Sequence, residues 1–169
     1  MNLRILEKED LPLLQEWTAN PDFLGKYVVY WQKSMAEWEK KYESPSDEEK
    51  WFSIEKKDGT KVGFMEHFTI DNLLEIAYFL APNERGKGYC TEAIQLIVDY
   101  LFLSKEIVRI QARTDVRNLD SQKVLEKSGF TKEGIIRKSE FIRGEWRDRY
   151  LYSILREEWK EPKILTKTA

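Results

Sequence analysis

Residues 73–90 read LLEIAYFLAPNERGKGYC. The first nine are almost all apolar, which predicts a buried strand. Asn83 to Cys90 then place two glycines around a lysine, with an arginine in front. After the loop the period changes. Ala93, Ile97 and Leu101 recur every four residues, as do Ile94, Val98 and Phe102, and this predicts one face of an amphipathic helix. In a strand–loop–helix unit, ligands collect at the carboxyl end of the strand. The helix N-terminus offers unpaired N–H groups and the positive end of its dipole there. Gly86 and Gly88 let the backbone approach an anion with no Cβ in the way, and Arg85 and Lys87 add charge. The pattern predicts a phosphate or pyrophosphate cradle. It is not a Walker loop, because Lys87 is followed by Gly88 and Tyr89, nor a dinucleotide fingerprint, because Thr91 stands where the third glycine belongs.

On either side of this unit the chain alternates between strand and helix signals. Residues 2–6 read as a strand, and Asp10 as the N-cap of a helix to about Trp17, with Pro12 in its first turn. Ser34 and Glu37 form a capping box for a helix at 35–42. WFSIEKK and KVGFMEHF read as a hairpin turned by Asp58-Gly59. IVRIQAR is a further strand, and Gly129 closes a helix over 119–127. Strands near 134–142 and 147–155 flank Arg143-Gly144-Glu145. The order predicts an α/β (α+β) fold, a sheet with helices on its faces. We expect one domain over residues 1–169, loosely ordered from about residue 160.

Composition narrows the functions. The 28 basic and 30 acidic side chains nearly balance, so nothing calls for nucleic acid. No apolar stretch reaches the length of a membrane span. The opening MNLRILEKEDL lacks an apolar signal core, which predicts a cytoplasmic protein. One cysteine, Cys90, excludes an internal disulfide. One histidine, His67, argues against a multi-histidine metal centre and a serine–histidine triad; the expected metal is none.

Asn83-Glu84-Arg85-Gly86-Lys87-Gly88 resembles the Q/R-x-x-G-x-G/A hallmark of the GCN5-related N-acetyltransferases, departing from it at Asn83. Asn118 to Ser121, then Val124 to Lys127 and Gly129-Phe130, resemble the N-x-x-S…L-x-K-x-G-F signature of the subgroup that acetylates ribosomal-protein N-termini. Gly134 to Arg137, Asp148, Tyr150 to Leu155, Leu3 to Leu6 and Asp10 to Pro12 extend the likeness over nearly the whole chain. The resemblance implies a mixed, twisted sheet of six or seven strands, in which two central parallel strands splay apart to admit the pantetheine of acetyl-CoA. The opening then lies between strands 73–81 and 107–113. Phe79 and Leu80 would pair with the pantetheine through their backbones. The amides of Arg85, Gly86, Lys87, Gly88, Tyr89 and Cys90 would hold the pyrophosphate, and Asn118 would orient the cofactor.

The implied reaction moves an acetyl group from acetyl-CoA, the cosubstrate, directly to a primary amine. It needs an amine freed of its proton, a stabilised carbonyl oxygen, a donor for the thiolate and alignment of the reactants. Glu75 is the candidate base; its other reading is a solvated or ion-paired residue of the sheet. The Phe79 N–H is the implied oxyanion donor. The tyrosine that many relatives use as acid is replaced by Leu125, which leaves Ser121 as the group facing the thiolate. Cys90, in the phosphate loop, is read as a small residue in a tight turn and not as a nucleophile. Tyr30, Trp31 and Trp146 are the candidate acceptor contacts, with core packing as the alternative. The expected acceptor is a protein N-terminal α-amine. The alternatives are a small amine such as a polyamine or aminoglycoside, or a non-catalytic acyl-CoA-binding module. The family likeness also admits a homodimer.

Overall fold

Among the described residues, seven strands form one sheet in the order β1-β2-β3-β4-β5-β7-β6. They are β1 (Asn2–Ile5), β2 (Lys50–Glu55), β3 (Lys61–Ile70), β4 (Leu73–Leu80), β5 (Arg109–Asp115), β6 (Thr131–Ile142) and β7 (Glu145–Leu155). The helices are α1 (Leu11–Ala19), α2 (Pro21–Leu24), α3 (Met35–Glu43), α4 (Tyr89–Ser104) and α5 (Leu119–Lys127). This is a computed structural model, and it describes residues 1–44, 46–160 and 162. The expected loose tail falls mostly on residues outside that set.

Every neighbouring pair of strands is antiparallel except β4 and β5. Against β3, β4 is in register along its full length, from Gly63↔Leu80 to Ile70↔Leu73. Against β5 it pairs only at Leu74↔Ile110 and Glu75↔Gln111. Beyond Glu75 the two parallel strands part. The splay therefore lies between the strands expected from the sequence.

Side-chain alternation along each strand divides the residues between two faces. Phe52, Ile54, Met65, Ile76 and Ile110 meet Ile94, Ile97, Leu101 and Phe102 of α4, with Leu125 of α5 in the same core. On the other face Phe64 packs with Leu11, Leu14, Phe23, Leu24 and Trp38 from α1 to α3. Burial of this kind is worth about 25 cal/mol per Å² of apolar surface, so the two clusters hold the helices to the sheet.

The expected caps form at Ser34, which exchanges hydrogen bonds with Glu37 (Ser34 N to Glu37 Oε2, 2.7 Å; Glu37 N to Ser34 Oγ, 3.3 Å). Asp10 precedes α1 but does not cap it. Its carboxylate turns back to accept from the Glu7 N–H at 2.8 Å and binds Arg4 and Lys61. Helix α2 was not anticipated: four residues carry no period. Asn20 caps it, accepting from the Asp22 N–H, and Pro21 fills its first position.

Candidate active site

The loop after β4 makes one 3-10 turn at Pro82–Glu84 and then enters α4. Gly86 and Gly88 both adopt left-handed φ, +75° and +84°, conformations that cost other residues energy. Gly88 is the N-cap of α4 and supplies no side-chain cap. The first bond of α4 runs from the Glu92 N–H to the Gly88 carbonyl at 3.2 Å. The N–H groups of Tyr89, Cys90 and Thr91 are left without a helix partner, which suits an anion.

The two basic residues of the loop act differently from their simplest reading. Arg85 folds inward and donates to the carbonyls of Leu80 (3.1 Å), Asp22 (3.3 Å) and Phe23, tying α2 to the end of β4. Its amide donates to Pro82 at 3.4 Å. Lys87 pairs with Glu84 at 3.0 Å, and Glu84 also holds Lys56 at 2.9 Å. The cavity beside the loop, about 610 Å³, is lined by Leu80, Gly86, Gly88, Tyr89, Cys90, Asn118 and Ser121 among others. Lys26, Lys123 and Lys127 stand on its wall. They were missed in the sequence, although the i, i+4 spacing of Lys123 and Lys127 puts both on one face of α5. Burial pushes the Cys90 thiol up, so it stays neutral.

A second cavity, about 420 Å³, lies on the α1–α3 side. Tyr27, Val28, Tyr78, Phe79, Asn118 and Ser121 line both cavities, so the two meet at the splay. Asn118 caps α5 by accepting from the Ser121 N–H (3.2 Å). The Ser121 and Tyr78 hydroxyls are 2.8 Å apart. Burial pushes the Tyr78 phenol up, which keeps it a donor. Tyr78 was not singled out in the sequence. Leu125, at the position of the absent acid, is fully buried in the core.

The register corrects the expected role of Phe79. The Ala81 N–H donates to the Val62 carbonyl at 2.9 Å. Hydrogen-bonded pairs alternate along an antiparallel ladder, so Phe64 and Phe79 are also such a pair. The N–H of Phe79 therefore points at β3. The groups of β4 that face the open edge are those of Tyr78 and Leu80, and the Leu80 carbonyl is taken by Arg85.

The acceptor-side cavity is walled by Trp31, Trp51 and Phe79, with Ala77 on its floor. Among the described residues, four carboxylates line it: Glu66, Glu75, Asp115 and Glu140. Glu75 is buried and ion-paired; Arg113 Nε lies 2.8 and 3.1 Å from its oxygens and Gln111 Nε2 donates at 3.1 Å. This pair joins β4 to β5 where their pairing ends. Asp115 pairs with Arg117 (3.1 Å) and Glu140 with Arg149. Burial, then the nearby Glu49 carboxylate, push Glu66 up to about 8. Burial also raises Glu49, but hydrogen bonds from Lys41 and Trp51 outweigh it and hold Glu49 below the usual carboxylate range. Trp31 reaches the cavity; Tyr30 and Trp146 line neither cavity. Tyr30 lies under the Arg143 guanidinium, 4.4 Å from ring centre, and Trp146 rests against Phe141.

A glycine-cradled helix start, a two-pair parallel splay and a cavity passing through it define an acyl-CoA-dependent acyltransferase architecture. Residues 1–131 match the family described as "Acetyltransferase (GNAT) domain", and the chain belongs to that family of acetyl-CoA-dependent N-acetyltransferases. It is similar to YjcK of Bacillus subtilis, named as an N-acetyltransferase, at 50% identity over 80 residues. That match takes in 47% of this chain and 44% of YjcK, so the chain spans under half the length of that relative. YdaF of Bacillus subtilis, provisionally named a ribosomal N-acetyltransferase, is 28% identical over 96% of this chain and 95% of its own. The crystal structure of spermidine N-acetyltransferase from Vibrio cholerae, in complex with CoA and spermine, aligns with a TM-score of 0.85 at 25% identity. It covers 95% of this chain and 98% of that one. Among the described residues, no helix is long and apolar enough to cross a membrane.

Proposed function

We propose that this acetyltransferase takes acetyl-CoA in the cavity beside the glycine loop and a small cationic amine, of the polyamine kind, in the second cavity. The observation that carries this reading is the continuity of the two cavities at Tyr78, Asn118 and Ser121. It brings a thioester and an amine face to face through the splay, with carboxylates and aromatic rings on the amine's side. Such walls suit an ammonium on an aliphatic chain. The likeness to a spermidine N-acetyltransferase supports the same class.

The chain's own groups then have these tasks. The amides at the start of α4 hold the pyrophosphate, and Lys26, Lys123 and Lys127 offset its charge. The Tyr78 N–H meets the carbonyl oxygen as charge develops. Tyr78 donates its hydroxyl proton in a hydrogen bond to Ser121 Oγ, leaving the Ser121 proton to point at the departing sulfur. Glu75, held by Arg113, keeps the mouth of the splay in place.

A second reading keeps the protein N-terminal α-amine as acceptor. The pattern from Asn118 to Phe130 and the likeness to YdaF favour it. The test follows free thiol release from acetyl-CoA with spermidine and with short peptides of free N-terminus. A higher kcat/KM for spermidine is expected, and the reverse order would replace the first reading with the second.

A further inference from the structure

We propose that Glu66, on β3, is the catalytic residue that takes the proton from the acceptor's ammonium in this acetyltransferase. The inference rests on the assignment of the second cavity to the amine and deepens it.

Of the four carboxylates lining that cavity, three are engaged: Glu75 by Arg113, Asp115 by Arg117 and Glu140 by Arg149. Glu66 alone has no ion pair among the described residues. A carboxylate locked to a guanidinium is a poor base, because accepting a proton forfeits the pair. Glu75, the base expected from the sequence, is in that state.

Position favours Glu66 as well. Trp51, Glu66 and Ala77 lie side by side across β2, β3 and β4, on the cavity face. Adjacent strands are about 4.8 Å apart. Ala77 presents only a methyl group, and the splay begins just beyond it, because β4 and β5 are paired only as far as Glu75. An amine nitrogen lying over Ala77 therefore has Glu66 on one side and the thioester position on the other.

The charges around Glu66 set its resting state. Glu49, before β2, shares a hydrogen bond with it; Lys41 of α3 and Lys33 of the preceding loop also face it. Glu49 is committed to Lys41 (2.5 Å) and the Trp51 N–H (2.7 Å). With Glu66 pushed up to about 8, its carboxyl is largely protonated at neutral pH before an amine enters. An entering ammonium displaces that proton and leaves a carboxylate beside the cation.

The transfer balances as follows. The ammonium gives one proton to the Glu66 carboxylate. The freed nitrogen lone pair forms the C–N bond to the thioester carbonyl carbon, and the C–S bond breaks with its electron pair going to sulfur. A second proton leaves nitrogen and ends on the thiolate, giving the amide and free thiol. Glu66 then returns its proton to solvent.

The test compares the wild-type chain with Glu66→Gln, which keeps the shape of the protonated carboxyl. Thiol release with spermidine is followed from pH 6 to 10, and acetyl-CoA affinity is measured by calorimetry. We expect kcat/KM to fall by about 100-fold at neutral pH, as for loss of a general base, with acetyl-CoA affinity unchanged. Wild-type kcat/KM should level off near pH 8, whereas that of the variant should keep climbing as free amine accumulates. Spermidine binding to the CoA complex, measured in two buffers of different ionisation enthalpy, should release protons from the wild type and none from the variant. An unchanged rate and pH profile in Glu66→Gln overturns the proposal. If spermidine is inert and a peptide is acetylated, the small-amine reading fails alone. The same variant assayed on that peptide still decides the role of Glu66.

Discussion

On the face under α4 and α5, the strands present Phe52, Ile54, Met65, Ile76 and Ile110 to a continuous helix cover. On the face toward α1–α3, the same strands present Trp51, Glu66, Glu75, Gln111 and Arg113, and helix cover gives way to a cavity. The two faces are made by single-residue alternation, so a slip of one position would exchange them. They handle charge in opposite ways. Beneath the continuous cover, burial holds the His67 ring neutral. Beside the cavity, charges persist by pairing with each other, as at Glu75 and Arg113. A sheet can therefore be held together on one side and left chemically active on the other.

The most disruptive way to probe the polar face is Arg113→Met. Removing the cation leaves the Gln111 amide as the hydrogen-bond donor to the buried Glu75 carboxylate among the described residues. Losing one partner of a buried pair costs about 3 kcal/mol at the lower end of experience, whereas replacing both partners with apolar residues is close to neutral. Urea unfolding at pH 7.5 should show that loss for Arg113→Met and recovery of most of it in Glu75→Met/Arg113→Met. Equal losses in both would mean that the pair is not what holds β4 to β5.

The apolar face is probed by pH. His67 is fully buried and neither ring nitrogen has a hydrogen-bond partner among the described residues. Burial first, then Lys105 and Lys50, lower its pKa to about 4 from an ordinary 6.5. Its contribution to stability is thus complete above pH 6.5 and is lost as pH falls toward 4, because the unfolded chain gains the proton first. Between pH 7.5 and 5 this amounts to about 2 kcal/mol. Comparison of wild type with His67→Leu by urea unfolding at the two pH values should find that the variant lacks this share of the acid loss. A parallel decline in both proteins would place the acid sensitivity elsewhere.

The cofactor side was more legible in the sequence than the acceptor side, for a physical reason. A left-handed glycine pair and an uncapped helix start are local requirements, so Gly86, Gly88 and the helix period after them announce the cradle. The acceptor side is assembled from all the strands from β2 to β7, and its pairings depend on register. No spacing along the chain shows that Arg113 will reach Glu75 or that Arg149 will reach Glu140, and so Glu66 stands out only once those pairs are known. Phe79 teaches the same lesson at the backbone. Its strand was read correctly, yet which of its successive N–H groups faces the splay is decided by pairing with β3. Tyr78 was hidden for the converse reason: as an apolar-run residue it reads as core, and only the fold brings Ser121 to its hydroxyl.

The smallest effect is expected at Trp146, the candidate acceptor contact that lies on the late hairpin of β6 and β7. Trp146 is 57% exposed and Phe141 53% exposed. Their rings touch edge to face, 5.7 Å apart, away from both cavities. Exposed substitutions outside special sites change stability by no more than about 0.5 kcal/mol. The same energy in binding is about twofold in affinity. Trp146→Ala should therefore leave the unfolding midpoint nearly unchanged and shift the KM for the amine by less than about twofold. A tenfold rise in KM with unchanged stability would show that β6 and β7 close over the bound amine. The polar face would then extend past the sheet's edge, and its chemistry would need a moving wall that the apolar face does without.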